Sequence, residues 1–281
     1  MGDHYVPKYY LKGFSKDEGN TIWVYDKQDS RKFSTQVRSI ANITGFYTSK
    51  IEEYLSNKVE SPANAVLRKI RDRNKITVDD KKVLSTYMVV MLKRVPQSKE
   101  RVKKYVPSVA KEVSQKFDNI LRIAASIQPG RAALIKERRA EIQKYIEKYS
   151  KEQLKDIWLD NIPAGMSPRV VKAISSMTWI FLTFDQHPAF LTSDNPVFYF
   201  TDIGIGNPKS EISFPISSHV ALWANWRPDL SEGYSPTNMN TVKEFSRRTV
   251  SIATRYIFHS DDEAWILPFI TKGRLQLNYL Q

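Results

Sequence analysis

Residues Leu191 to Val197 read LTSDNPV, so Ser193, Asp194 and Asn195 interrupt two apolar runs, Ala189-Phe190-Leu191 and Val197-Phe198-Tyr199-Phe200. Asp and Asn are poor strand residues, and the residue before a proline is biased away from helix. The segment therefore predicts either a strand end that aims a carboxylate into a cleft or a tight turn closed at Pro196. Glu53 and Glu60 stand two turns apart in IEEYLSNKVE and would share one face of a helix. Glu60 then lies near the negative end of a helix that stops before Pro62, where a metal ion or an arginine would offset its charge. His4 opens the segment HYVPKYYLKGF, in which Pro7 favours an extended lead-in and Tyr9, Tyr10, Leu11 and Phe14 can anchor the chain, leaving a ring nitrogen to face a pocket.

If these groups converge, they supply an imidazole and carboxylates suited to a hard divalent cation, Mg²⁺ or Mn²⁺, with positions open to water. The expected metal ligands are His4, Glu53, Glu60 and Asp194. Such an ion activates water and neutralises a phosphoryl transition state, with Arg94 adding positive charge and Asn195 beside Asp194 completing the catalytic set His4, Asn195, Asp194 and Arg94. The alternative gives His4 and Asp194 structural roles, each hydrogen-bonded within the protein. His187, His219 and His259 share no metal-ligand spacing.

The charge balance points to a partner for this chemistry. The 281 residues carry a net charge of +13, and between Lys93 and Lys155 there are 17 Lys and Arg against 7 Asp and Glu. A basic helical face of this kind neutralises phosphates, and Lys103, Lys104, Lys136, Arg138 and Arg139 are the expected nucleic-acid contacts. The other reading is a solvated helix surface. Rigid motifs are missing: no P-loop, Gly-rich dinucleotide turn, HExxH or GxSxG occurs, so no nucleotide cofactor is expected. With no cysteine, disulfides and thiolate metal sites are excluded. No apolar run approaches the roughly 18 residues of a membrane span, and no signal peptide is evident, so the expectation is a cytoplasmic protein with no membrane contact.

The elements that would hold these groups follow from periodicity. NTIWVYDK and RKFSTQV alternate apolar and polar residues and predict a hairpin. SKIEEYL, with Ser49 and Glu52 as a capping box, predicts a helix that ends or restarts at Ser61-Pro62. VLSTYMVVMLKRV, Val83 to Val95, is apolar on most faces and predicts a buried helix broken at Pro96. Basic helices are expected over about Gln97 to Ile127 and Ala132 to Tyr149, a short one capped by Ser150 and Gln153, and another begun by Ser167-Pro168. From Trp179 onward WIFLTF, AFLTSDNPVFYF, ISFPIS, VALWANW and RYIFHS predict strands, with helices near Thr241 to Ala253 and Ala264 to Ile270. The expected fold is a single α+β domain over 1–281, its mixed or antiparallel sheet built from strands in 1–48 and 177–281, with a helical subdomain over 49–176 inserted between them.

At these residues the chain resembles a bacterial family labelled domain of unknown function 4238. The resemblance rests on His4, Pro7, Tyr10, Leu11 and Phe14 (HxxPxxYLxxF), Trp23 to Tyr25, Glu53 and Glu60, Arg94 and Pro96, and Thr192 to Pro196 (TSDxP). It spans nearly the whole chain and implies that these residues belong together, but carries no activity. The residues themselves lead to the expectation of a metal-dependent phosphodiesterase or nuclease acting on RNA or DNA, in a defence or toxin setting. The alternative is a non-catalytic nucleic-acid-binding or protein-interaction module, and the sequence sets no oligomeric state.

Overall fold

Two compact units divide the chain in the computed structural model: residues 1–95 with 163–281, and residues 96–162. The structure describes residues 2–16, 20–148, 158–160, 162–163, 167–187, 189–271 and 276–280. In chain order the first unit begins with β1 (Asp3–His4), α1 (Lys8–Leu11), β2 (Thr21–Asp26), β3 (Arg31–Gln36), β4 (Asn42–Ile43), α2 (Ser49–Tyr54), α3 (Ser61–Arg71) and α4 (Val78–Arg94). The second unit holds α5 (Pro96–Ile127) and α6 (Ala132–Lys148). The first resumes with α7 (Pro168–Ser176), β5 (Thr178–Thr183), β6 (Thr192–Ser193), β7 (Phe198–Tyr199), β8 (Glu211–Pro215), β9 (Val220–Asn225), β10 (Gly233–Pro236), α8 (Met239–Ile252), β11 (Tyr256–His259) and α9 (Ile266–Thr271).

The fold is α+β. Strands from both ends of the sequence meet in an antiparallel sheet of order β3-β2-β11-β6. A second sheet, β10-β5-β9-β8-β7, is antiparallel except where the edge strand β10 runs parallel to β5. β1 pairs with β4. The predicted hairpin forms as β2 and β3, because alternation buries Ile22 and Val24 on one face. Its outer strand carries Arg31 and Lys32, which discourage edge pairing. The short strands β1, β4 and β10 carry no alternating pattern that marks them in the sequence.

The expected helical insertion over 49–176 is divided. α4 buries Leu84, Tyr87, Met88, Val90 and Met91, so it belongs to the core of the first unit. α5 buries none of its residues and forms with α6 the unit of its own, tied by Ser114 Oγ to Gln143 Oε1 (3.0 Å) and Arg139 Nε to Asp118 Oδ1 (2.8 Å). The expected Ser150–Gln153 cap lies outside the described residues. The cap of α2 is Thr48, whose Oγ1 accepts from Ile51 N, one residue before the expected Ser49.

The N-terminal block is fastened to the later sheets through Tyr10. Pro7 has ψ 137°, the extended lead-in that its ring favours, and Tyr10, Leu11 and Phe14 are fully buried behind it. The Tyr10 ring stacks on Phe214 of β8 with centroids 5.2 Å apart. Its hydroxyl donates to the Pro215 carbonyl (2.7 Å) and bonds Thr192 Oγ1 of β6 (2.6 Å), so one residue joins the start of the chain to both sheets. Tyr10→Phe keeps the ring and leaves the two buried oxygens without their shared partner. Urea denaturation should show a loss of about 1–3 kcal/mol; a shift of a few tenths would reduce the hydroxyl to a bystander.

Candidate functional site

Pro62 sets the geometry of the first part of the site. Proline has no N–H, and its ring crowds the carbonyl four residues earlier, here Lys58. Of the two expected outcomes at Ser61-Pro62 the structure has the restart, with α3 beginning at Ser61, which keeps helical angles. Before it the helix widens into a π turn over Leu55–Glu60, with Ser61 N–H donating to the Ser56 carbonyl. The wide turn absorbs one extra residue, so Glu60 comes round to the side of Glu52 and not Glu53. Glu53, an expected metal ligand, is exposed. Glu52 is half-buried, and its Oε1 is enclosed with no hydrogen-bond partner among the described residues. Burial pushes the Glu52 carboxyl up, Arg94 draws it down, and Asp3 and Glu60 push it up again, so three carboxylates act on one another here.

Arg94, at the end of α4, is 1 % exposed. Its guanidinium donates to Glu60 Oε1 (2.6 Å) and to the His4 carbonyl, and lies 5.6 Å from the Tyr47 ring centre. The Tyr47 hydroxyl, its pKa pushed up to about 12 by burial, donates back to the Arg94 carbonyl (2.7 Å). Tyr47 N–H donates to Asp3 Oδ2 (3.0 Å). The arginine expected to meet a reacting group therefore directs its charge into the protein, where it positions β1 against the π turn.

His4 adjoins this knot. Its Nε2 lies 3.2 Å from the Arg38 carbonyl, an oxygen that can only accept, so the proton sits on Nε2 and Nδ1 keeps its lone pair. Burial and then the Lys8 charge hold the ring below its usual range, which keeps it neutral at pH 7. Beside it opens a cavity of about 620 Å³ whose wall includes Lys8, Tyr9, Lys12, Arg38, Glu60 and Asn64. Lys8 and Lys12 lie one turn apart after Pro7 and are exposed, as is Arg38. Among the described residues none of the three forms an ion pair, while the single lining carboxylate, Glu60, is already matched to Arg94. Asn64 Oδ1 is enclosed without a partner among the described residues. The cavity thus carries a surplus of unneutralised positive charge over a polar wall, which is the electrostatic character of an anion site.

Asp194 lies outside this cluster. Its Oδ1 accepts from Thr254 N (2.8 Å) and its Oδ2 from Arg255 N (2.7 Å) and Tyr256 N (3.1 Å), at the junction of α8 and β11. Burial pushes the carboxyl up and the three N–H donors pull it down. Asn195 Nδ2 donates to the Ile252 carbonyl (3.1 Å) at the same junction, and Lys27 Nζ covers the Val250 and Ala253 carbonyls there. The TSDNP segment is thus a turn that caps its neighbours, the structural alternative of the sequence reading. The four expected ligands do not share a site: His4 and Glu60 are brought together with Arg94, Glu53 faces outward and Asp194 is committed to backbone. Among the described residues no three His, Asp or Glu side chains are arranged to hold a metal ion. In the second unit Lys103, Arg138 and Arg139 pair with Glu100, Glu141 and Asp118, Lys104 lies over the Tyr105 ring, and among the described residues Lys136 has no such neighbour.

Sequence reasoning missed Lys8, Lys12, Arg38, Glu52 and Asn64. The i, i+4 lysines after Pro7 were a usable signal; Glu52 was hidden by its resemblance to a capping residue. A family model described as a protein of unknown function, DUF4238, matches residues 3–263. The chain belongs to the DUF4238 family. No curated protein and no solved structure matches it. The DUF4238 match takes in both ends of the Tyr10–Thr192 contact and the whole of the His4–Glu60–Arg94 cluster.

Asp194→Asn replaces an acceptor of three N–H groups by a side chain that can face them with only one oxygen. Denaturation should show a loss of roughly 2–4 kcal/mol, the order set by stranding one or two buried donors; unchanged stability would contradict the capping role. For His4 the folded protein favours the neutral ring. Its contribution to stability is complete above the unfolded value of 6.5 and is lost as pH falls through the lower folded value. Ring resonances followed by NMR should titrate below pH 6.5; a midpoint above it would reverse the argument.

Proposed function

We propose that this DUF4238 protein binds nucleic acid through its phosphate backbone, and that the backbone is held at the cavity of Lys8, Lys12 and Arg38. The observation that carries the reading is the charge of those three side chains around one polar hollow, with no ion pair to any of them among the described residues. The overall charge of +13 supports the same class of partner.

A second reading has its own observation. Glu52 Oε1 is an enclosed carboxylate oxygen with no partner among the described residues, beside Glu60. Two carboxylates and a substrate phosphate suffice to hold Mg²⁺ or Mn²⁺, which keeps most of its waters. Under this reading the protein is a metal-dependent phosphodiesterase or nuclease, with His4 taking a proton from the attacking water. The ion would use Glu52 and Glu60, not Glu53 and Asp194.

Fluorescence anisotropy with a labelled single-stranded oligonucleotide at several salt concentrations tests the first reading. Lys8→Glu with Arg38→Glu should weaken binding and lower the log–log salt slope by about 1.4, two phosphate contacts at about 0.7 each. Reversal at Lys136, Arg138 and Arg139 should weaken it less, because two of those charges already have carboxylate partners. Undiminished binding by the Lys8/Arg38 variant would remove the cavity from the interface. Incubation with Mg²⁺ or Mn²⁺ tests the second: Glu52→Gln should abolish divalent-dependent cleavage while leaving binding in place, and a wild-type protein that cleaves nothing would exclude it.

A further inference from the structure

We infer that a second cavity of the first unit, beyond the C-terminal end of α3, takes one unstacked nucleobase, so that the nucleic acid this protein binds is single-stranded. The inference rests on nucleic acid being the ligand. The cavity measures about 370 Å³, and its wall includes Trp179, Phe181, Tyr234, Glu232, Arg73 and Lys75. Strand periodicity puts Trp179 and Phe181 on one face of β5. The parallel register of β10 sets Tyr234 beside Phe181, with the two rings 5.1 Å apart and 28° from parallel. Trp179 and Phe181 are nearly inaccessible, whereas Tyr234, stacked on Phe181, is half-buried and lines the cavity. The Tyr234 hydroxyl donates to the Asn74 carbonyl (2.8 Å), which holds the ring at a fixed angle.

The polar groups around this aromatic wall match a nucleotide. Glu232 Oε1 accepts from Trp179 N (3.1 Å) and Lys81 Nζ (2.6 Å), which aims the carboxylate, and its other oxygen is left to accept from an exocyclic amine such as cytosine N4. At the rim stand exposed Lys75, with no ion pair among the described residues, and Arg73, whose guanidinium pairs with exposed Asp185. A base entering here places its phosphate beside Lys75. The aromatic face supplies affinity that tolerates sequence, and the cations follow the strand.

α3 links the two cavities. Asn64 lines the first and Arg73 follows the end of the helix at the second, about 13 Å along the axis at about 1.5 Å per residue. Arg68, one turn after Asn64, is exposed between them. Arg71, on the same side, lies over the Tyr9 ring. The interval corresponds to about four stacked nucleotides at about 3.4 Å each. A duplex cannot present a base to Tyr234 without opening, and this is the basis for strand selection.

Four probes test the inference by anisotropy: oligo-dC and oligo-dT strands, a fully abasic strand of equal length, and a duplex, which should bind more weakly than oligo-dC. The wild-type protein should prefer oligo-dC to the abasic strand by about tenfold, the order of one stacked base. Tyr234→Ala should remove that preference without changing affinity for the abasic strand, and Tyr234→Phe, which keeps the ring, should retain it. Glu232→Gln should narrow the margin of oligo-dC over oligo-dT. Equal wild-type affinity for intact and abasic strands, or a Tyr234→Ala variant that still discriminates, would overturn the inference while Lys8→Glu continued to report on the phosphate site. Loss of both strands alike in Tyr234→Ala would also overturn it, since stacking acts only on the base. Failure of every probe to bind wild-type protein would overturn both proposals.

Discussion

The buried guanidinium of Arg94 is the constraint on which the N-terminal half of the site depends. Removing a charge from water costs several kcal/mol unless partners surround it. Arg94 finds them in three separate stretches of chain: Glu60 of the π turn, the carbonyl of His4 and the ring of Tyr47. Each partner is held in turn, Glu60 by the turn that Pro62 widens and Tyr47 by its bond to Asp3. Loss of any one would strand the charge, so β1, the π turn and the end of α4 can adopt only one mutual arrangement.

That arrangement decides what the neighbouring cavity can bind. Because Arg94 neutralises Glu60, the lysines at 8 and 12 and Arg38 face the hollow without a counter-charge. The same cluster drives His4 toward its neutral form, since burial and Lys8 both disfavour a second proton. Anion attraction and a neutral imidazole thus have one origin. Glu52 is the other consequence: the turn that brings Glu60 inward also brings it beside Glu52, one oxygen of which has nothing to accept from among the described residues.

The later half of the chain plays a supporting part that its composition disguises. Asp194 and Asn195 look like site residues because polar groups between apolar strands are costly. The cost is met locally, by the backbone N–H groups of residues 254–256 and the carbonyl of Ile252. Thr192 meets Tyr10, so the two most recognisable stretches of the sequence do touch, but through a hydroxyl pair and not through His4 and Asp194.

Much of the architecture was legible from local patterns. Alternation marked β2 and β3, β-rich and aromatic-rich runs marked β5, β8, β9 and β11, and the apolarity of α4 on most faces marked a helix that must be enclosed; all depend only on residues a few positions apart. The four-residue spacing of Lys8 and Lys12 and the positive charge of the chain were likewise present in the sequence. What sequence could not determine was which carboxylates would face one another and which would be taken by backbone. Glu53 against Glu52 turned on a single extra residue in one helical turn, and Asp194 on where a strand sixty residues later would lie. Hydrogen-bond partners of buried charges are chosen by the tertiary fold, because a carboxylate is equally satisfied by an arginine, a metal ion or three backbone amides, and only packing decides which of them is within reach.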